Sequence, residues 1–190
     1  MTKPILFNAD MVRSILENRK TVTRRVVKPQ PKGQLVPTRS GGCWPGYFEE
    51  IGTSRVQRPP YRPGNILYVR ETWQQGLGGT YLYKASAGLD LFMNKEGNLV
   101  SNIPWRPSIH MPREAARIFL RVTDVRVERL QEMPPYDIAF EGFRKQKDFI
   151  ALWNSTIKPS DRDLYGWDAN PWVWVIEFER ISREEALSNE

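Results

Sequence analysis

Three residues of the chain have side chains that could together perform hydrolysis. Lys20 and Thr23 lie close together in the stretch ENRKTVTRR, and Glu141 lies in the distant stretch PPYDIAFEGF. A lysine whose pKa is lowered by burial or by nearby cations can act as a base, and a carboxylate can orient it or share its proton. A threonine hydroxyl beside such an amine can act as a nucleophile. These residue types suit hydrolysis without a metal ion or another cofactor, although each of them is also common in structural or solvated positions.

Positive charge is concentrated around Lys20 and Thr23. The chain has a formal net charge of +6, and residues 1–28 hold seven basic and two acidic residues, which gives +5. Arg19, Arg24 and Arg25 belong to this group. A concentrated basic segment favours a phosphate-bearing partner such as RNA, because each neutralised phosphate releases condensed counterions. The alternative is a solvated basic surface that keeps the protein soluble.

A second group of candidate binding residues lies further along the chain. In the stretch VRETW, Arg70 could pair with a phosphate or with Glu71, and Trp73 could stack on a base. A surface ion pair and a core tryptophan are the alternative interpretation. Arg106 and His110 lie in WRPSIHMPR, which mixes basic and aromatic residues. His110 is the only histidine, so it cannot build a histidine-based metal site, and a structural or substrate-orienting role is favoured over that of a general base.

The elements that must position these residues begin with a short strand and a helix. PILF predicts the strand, and Asn8 is a suitable N-cap for a helix that ends near Asn18. Apolar residues at helical spacing give this helix one buried face: Met11, Val12, Ile15 and Leu16. Asparagine is the most common substitute for glycine in the left-handed position that ends many helices. The segment with Lys20 and Thr23 is therefore predicted to leave a helix C-terminus.

The rest of the chain is predicted to form strands and two further helices. Strands are predicted for ILYVRETW, TYLYKA, Arg117–Leu130 and PWVWVIEFER, with a change of alternating phase at Thr123–Asp124. The two helices fall between about Pro134 and Ser155. No alternation of strands and helices typical of parallel βαβ units is present. The predicted fold class is therefore α+β, with a small curved or barrel-like sheet of antiparallel to mixed strands and flanking helices.

Residues 29–63 interrupt this pattern. The segment is rich in proline, glycine, serine and arginine and has no sustained period, which is typical of a lid or a binding arm in a compact domain. Trp44, Tyr47 and Phe48 are predicted to anchor it. Cys43 is the only cysteine, so an intramolecular disulfide is excluded and a reducing, cytoplasmic location is expected. No apolar run is long enough for a membrane span, so no membrane partner is expected.

Four stretches resemble one known family. ILENRKTVTRR, RPGNILYVRETW, AFEGF and WVWVIEFERI are similar to ASCH domains of the PUA-like superfamily, especially those of bacteriophages and prophages. The family signature Gly-x-Lys, followed five residues later by Arg, falls on Asn18, Lys20 and Arg25, with asparagine in place of glycine. The resemblance implies a single domain over residues 1–181 with a curved β-barrel, an insertion at about 29–63 and a tail at 182–190.

The resemblance also implies a ligand and a reaction. ASCH domains are expected to bind RNA or a nucleoside in a basic cleft between barrel and helices. Small bacterial members hydrolyse the amide of acetylcytidine with a lysine, a threonine and a glutamate, which match Lys20, Thr23 and Glu141. By this likeness Thr23 attacks the carbonyl, Lys20 transfers the proton and Glu141 positions the lysine. The alternatives are a ribonuclease, a non-catalytic RNA-binding module, and a phage protein that acts on a host factor through the 29–63 arm.

Overall fold

The computed structural model describes residues 2–37, 47–53, 55–86, 92–93, 97–100 and 103–188. The predicted anchor residue Trp44 and the lone Cys43 lie outside these residues. The strands are, in chain order, β1 (Lys3–Leu6), β2 (Val22–Val26), β3 (Leu35–Pro37), β4 (Phe48–Glu50), β5 (Val56–Gln57), β6 (Ile66–Arg70), β7 (Trp73–Gln75), β8 (Tyr81–Tyr83), β9 (Phe92–Met93), β10 (Leu99–Val100), β11 (Phe119–Arg129) and β12 (Trp172–Ile181). The α-helices are α1 (Ala9–Leu16), α2 (Asp137–Phe140), α3 (Gln146–Thr156), α4 (Arg162–Tyr165) and α5 (Arg183–Ser188). The mixture confirms the predicted α+β class.

The chain divides into two compact units. The first contains residues 1–18, 66–120 and 180–190, and the second contains residues 19–65 and 121–179. The barrel and the single domain implied by the family resemblance stay predictions.

The first unit contains the parallel part of the sheet. β1 pairs in parallel with β6, with Lys3 opposite Leu67, and the start of β11 follows β6 in the strand order. β7 and β8 form an antiparallel hairpin. The core of this unit consists of Ile66, Trp73, Met111, Ala115, Ala116, Phe119 and Ala186. Ile66 of β6, with the half-buried Tyr68, therefore packs against residues that follow it in the chain.

Helix α1 confirms the predicted start and end signals. The Asn8 side chain accepts a hydrogen bond from the Met11 backbone N–H at 2.9 Å, which caps the helix N-terminus. Val12 and Ile15 are buried on one face, as the spacing predicted. Asn18 has a φ of 56°, so it adopts the left-handed conformation that redirects the chain after the helix.

The second unit contains antiparallel strands and the helices α2 and α3. The strand order is β11, β12, β2, and β12 pairs antiparallel with β2 so that Val175 lies opposite Arg24. The core beneath these strands consists of Val22, Leu130, Met133, Ile138, Phe149, Trp153, Val173 and Val175. In β11 the consecutive residues Thr123 and Asp124 are both exposed while Val122 and Val125 are buried. The predicted change of phase is therefore present within one continuous strand.

The 29–63 segment contains a small antiparallel sheet that the sequence analysis did not predict. Its strand order is β3, β4, β5, with Val36 opposite Glu49. The buried Phe48 ring packs against Trp174 of β12 at a centroid distance of 5.3 Å. The predicted anchoring by Phe48 is confirmed, and the segment has regular structure where its described residues pair.

Candidate functional site

Backbone hydrogen bonds hold Lys20 beside the end of α2. After the left-handed turn at Asn18, Lys20 forms an isolated antiparallel bridge with Glu141. The Thr21 N–H donates to the Phe140 carbonyl at 2.9 Å, and the Thr21 carbonyl accepts from the Phe178 N–H at 2.9 Å. The lysine therefore lies on backbone that is fixed on both sides, although it is outside a regular strand.

The end of α2 positions Glu141. The Glu141 N–H donates to the Asp137 carbonyl at 2.9 Å, which completes the last turn of the short helix. Gly142 follows with a φ of 91°, a conformation that residues with a side chain rarely adopt. The chain therefore turns sharply directly after the glutamate.

The side chains of Lys20 and Glu141 meet in the protein interior. Lys20 Nζ donates to Glu141 Oε2 at 2.5 Å, and the two side chains are 0% and 2% exposed. The same amine donates to the Val22 carbonyl at 2.7 Å and to the Glu141 carbonyl at 3.1 Å. An ammonium has three N–H groups, and here it has three acceptors. Removing two charges from water costs several kcal/mol for each ion, which only close contacts of this kind offset.

Arg24 extends this pair into a larger group of buried charges. Its guanidinium donates to Glu141 Oε1 at 3.1 Å, to Asp137 Oδ2 at 2.5 Å and to Glu128 Oε1 at 2.7 Å. We call Lys20, Arg24, Glu128, Asp137 and Glu141 the buried charge cluster. It contains two cations and three carboxylates, so its formal charge is −1. The Arg24 side chain is 0% exposed, so its guanidinium is not presented to a phosphate at the surface.

Burial and charge together set the protonation of the cluster. Burial lowers the pKa of Lys20, Glu141 opposes this change, and the charges of Arg25 and Arg24 add to it. Burial also acts to lower the pKa of Arg24, but the neighbouring carboxylates, Glu141 first, outweigh it and leave that pKa raised. Arg24 therefore stays charged, and Lys20 is the cation of the cluster that loses its proton more easily.

Thr23 and Arg25 lie on the other face of β2. Successive side chains of a strand point to opposite faces, so Thr23 and Arg25 share a face that does not carry Arg24. Thr23 is buried, and its backbone directly follows Val22, whose carbonyl accepts from the Lys20 amine. Burial lowers the pKa of Arg25, with Tyr61 and Glu141 acting in the opposite direction.

The remaining predicted residue of the second unit is Arg19. Its side chain is exposed, and Nη1 donates to the Gly142 carbonyl at 2.8 Å. This bond joins the turn after α1 to the turn after α2. Arg19 directly precedes Lys20 in the sequence and Gly142 directly follows Glu141, so each end of the bond is next to a residue of the buried charge cluster.

The other predicted binding residues lie in the first unit. Arg70 donates from Nε to the Met111 carbonyl at 2.9 Å and from Nη2 to the Ile109 carbonyl. The buried Glu71 accepts two hydrogen bonds from Arg117, at 2.9 and 3.0 Å. The structure thus gives Arg70 and Glu71 protein partners within their own unit.

Trp73, Arg106 and His110 belong to the same unit. Trp73 is buried in its core, and the Arg106 guanidinium lies 5.3 Å from the centre of the Trp73 ring. His110 is exposed and ends a short 3-10 helix. The structure brings Trp73 and Arg106 together, as part of the packing of the first unit.

A cavity of about 570 Å³ opens beside the buried charge cluster. Its lining includes Val22 and the register partner Glu177, so it opens on the face of β2 that carries Arg24. The lining residues are Thr21, Val22, Thr123, Arg126, Tyr136, Asp137, Phe140, Glu177, Phe178 and Glu179. Three carboxylates and one arginine give this cavity a negative charge, in contrast to the predicted basic cleft.

Two residues of the cluster were not identified from the sequence. Asp137 lies four residues before Glu141, a spacing that places two carboxylates on one helix face, and this signal could have identified it. Glu128 lies in β11, far from Arg24 in the chain, and no spacing in the sequence indicates their contact.

The described part of the chain holds no group of three or more metal-ligating side chains placed to bind a metal ion. Within the same residues, every helix is too short or too polar to cross a membrane. Compared with known protein families, with curated proteins and with solved structures, the chain has no match.

Proposed function

We propose that the protein hydrolyses an amide of an acylated nucleoside, with Lys20, Thr23 and Glu141 as catalytic residues. The observation that carries this proposal is the 2.5 Å contact between the buried Lys20 amine and the Glu141 carboxylate. A lysine that burial predisposes to lose its proton, beside a carboxylate that can receive it, has the components of a general base.

The reaction begins when a proton moves from Lys20 Nζ to Glu141 Oε2. The neutral amine must turn from its three present acceptors toward Thr23 to accept the hydroxyl proton, and Thr23 Oγ1 then forms a bond to the amide carbonyl carbon. The carbon–nitrogen bond breaks as Lys20 returns this proton to the leaving amine. Water, activated in the same way, releases the acyl group from Thr23. Arg25, on the same strand face as Thr23, binds the substrate.

The charge balance of the site favours this reaction over simple phosphate binding. Two of the basic residues in the 1–28 segment, Lys20 and Arg24, are paired with the buried Glu141 and Asp137 and the half-buried Glu128. A phosphate-binding module requires exposed cations, whereas an amide substrate requires a positioned base and nucleophile.

The test measures hydrolysis of acetylcytidine, other acylated cytidines and RNA. Lys20→Met, Glu141→Gln and Thr23→Val are expected to lower kcat/KM by about 10² to 10⁴-fold, the usual contribution of a general base or nucleophile. Thr23→Ser restores a hydroxyl and is expected to recover part of the activity. Cleavage of RNA without hydrolysis of any acylated cytidine would identify a ribonuclease and contradict the amide proposal.

Glu50→Gln is the matched control. Glu50 is also a buried carboxylate of the second unit, and its Oε1 accepts from the backbone N–H groups of Lys32 and Gly33 at 2.7 and 2.9 Å. Glutamine retains this acceptor, so the variant is expected to keep its activity. Equal turnover by the wild type and the three site variants, or no turnover by the wild type, would contradict the proposal.

A further inference from the structure

The 29–63 segment carries a group of arginines that the proposed reaction does not use. Residues 51–65 contain Arg55, Arg58 and Arg62 and no acidic residue. Arg55 and Arg58 are exposed and Arg62 is half-buried. The nearest carboxylates in the sequence are the half-buried Glu49 and the buried Glu50. We call these three arginines, together with Tyr47, the arginine surface.

Tyr47 orders two of the three guanidinium groups. The Arg62 guanidinium carbon lies 4.8 Å from the centre of the Tyr47 ring, and that of Arg58 lies 5.5 Å from it. Arg62 Nη2 also donates to the Tyr47 hydroxyl. Contact with an aromatic ring holds a guanidinium in place. Two like charges are therefore held against one ring at the protein surface.

The arginine surface continues toward the Thr23 face of β2. Tyr61 lies between Arg58 and Arg62 in the chain and interacts electrostatically with Arg25. Burial raises the pKa of Tyr61, so its hydroxyl remains neutral and able to donate a hydrogen bond. Basic and aromatic side chains thus alternate along Arg58, Tyr61 and Arg62.

We propose that the arginine surface binds single-stranded nucleic acid. Guanidinium groups match phosphate oxygens with two parallel hydrogen bonds, and each phosphate that they neutralise releases counterions. The exposed plane of Arg58 adds a surface on which an unpaired base can stack, as guanidinium planes do in RNA recognition. Such stacking requires bases that are not paired in a duplex. This inference goes beyond the proposed hydrolysis, because no residue of the buried charge cluster takes part in it.

The test uses a fluorescent 12-nucleotide oligouridylate and measures anisotropy between 50 and 500 mM NaCl. The double variant Arg55→Ala/Arg58→Ala is expected to bind about tenfold more weakly at 50 mM and to lower the salt slope by about 1.4, that is about 0.7 for each lost contact. Both residues are exposed, so the fold is expected to remain intact. The matched control is Lys145→Ala/Lys147→Ala, which removes two exposed cations of the same unit.

Four results would overturn the proposal. Equal losses in the two double variants would show that net charge alone attracts the oligonucleotide. No wild-type binding at 50 mM NaCl would exclude the surface, as would equally tight binding of a 12-base-pair duplex. Binding of vesicles that contain phosphatidylserine, without binding of the oligonucleotide, would identify a membrane-binding surface instead.

A further variant, Arg58→Lys, tests the stacking surface directly. Lysine keeps the charge and loses the planar group, so oligouridylate binding is expected to weaken while binding of heparin, which has no bases, stays unchanged. Unchanged binding of both would contradict a role for the Arg58 plane.

Discussion

At the scale of single residues, the most unusual side chain is Lys20. Its amine is fully surrounded by two carbonyls and one carboxylate, which is the geometry that holds an ammonium. Burial acts against that charge, and the neighbouring Arg24 and Arg25 act in the same direction as burial. The protein therefore keeps a cation in a place where burial favours the loss of its proton, which is a requirement for a buried base.

The lowered pKa of Lys20 predicts a pH dependence of stability. The unfolded chain titrates this lysine near 10.5, and the folded chain titrates it at a lower pH. Between these two values the unfolded state binds more protons, so the free energy of unfolding rises with pH, by at most about 1.4 kcal/mol per pH unit. Urea unfolding of the wild type and of Lys20→Met from pH 7.5 to 10.5 measures this contribution.

The free energy of unfolding of the wild type is expected to rise relative to that of Lys20→Met as pH rises. The variant removes this single titration while every other lysine and tyrosine remains. If the free energy of unfolding of the wild type instead falls relative to that of the variant, Glu141 raises the pKa of Lys20 more than burial lowers it. The proposed role of Lys20 as a proton acceptor would then lose its support.

At the scale of elements, the left-handed residue after α1 determines where Lys20 lies. Asn18 tolerates its φ of 56° because a short polar side chain can visit this conformation. Asn18→Val is expected to lower the free energy of unfolding by about 1 to 2 kcal/mol, because a β-branched side chain is strained there. Asn18→Gly, which restores the residue of the family signature, is expected to leave stability nearly unchanged. Urea unfolding of both variants measures the difference, and equal costs would show that the turn does not depend on this conformation.

Local signals predicted the elements that depend on local interactions. The cap at Asn8, the apolar face of α1 and the left-handed Asn18 all follow from nearest neighbours in the chain, and the structure contains each of them. The change of phase in β11 was equally predictable, because burial on one face imposes a period of two, whereas the consecutive residues 173–176 of β12 are all buried.

The pairing of short strands and the contacts between distant residues could not be predicted in the same way. The strands β3, β4 and β5 have only two or three residues each, which is too short for a period of two to be recognised. The contact between Lys20 and Glu141 spans 121 positions, and the sequence suggested it through the residue types and the family resemblance, not through any spacing. The partner Glu128 was missed because a carboxylate in a sequence does not indicate which cation it meets, and Asp137 was missed although its spacing from Glu141 indicated a shared helix face.

At the scale of the whole molecule, the net charge of +6 is unevenly distributed. Part of the positive charge near the N-terminus is neutralised inside the buried charge cluster, and the cavity beside it is lined by more carboxylates than cations. Residues 51–65, which hold the three arginines of the arginine surface, contain no acidic residue, so this stretch concentrates positive charge. The distribution of the positive charge therefore predicts the kind of binding partner better than the net charge does.

The two proposals together predict a preference that depends on salt. On the two proposals together, an oligonucleotide whose acetylcytidine lies at Thr23 also offers phosphates to Arg55 and Arg58, whereas free acetylcytidine has no phosphate. The ratio of kcat/KM for the oligonucleotide to that for the nucleoside is expected to fall about 25-fold between 50 and 500 mM NaCl, since two contacts contribute a slope of about 1.4. Arg55→Ala/Arg58→Ala is expected to flatten this dependence, and Lys145→Ala/Lys147→Ala is expected to preserve it. The preference arises only if an oligonucleotide bound to the arginine surface places its base at Thr23. A ratio that is independent of salt in the wild type would therefore show that the arginine surface does not act together with the hydrolytic site.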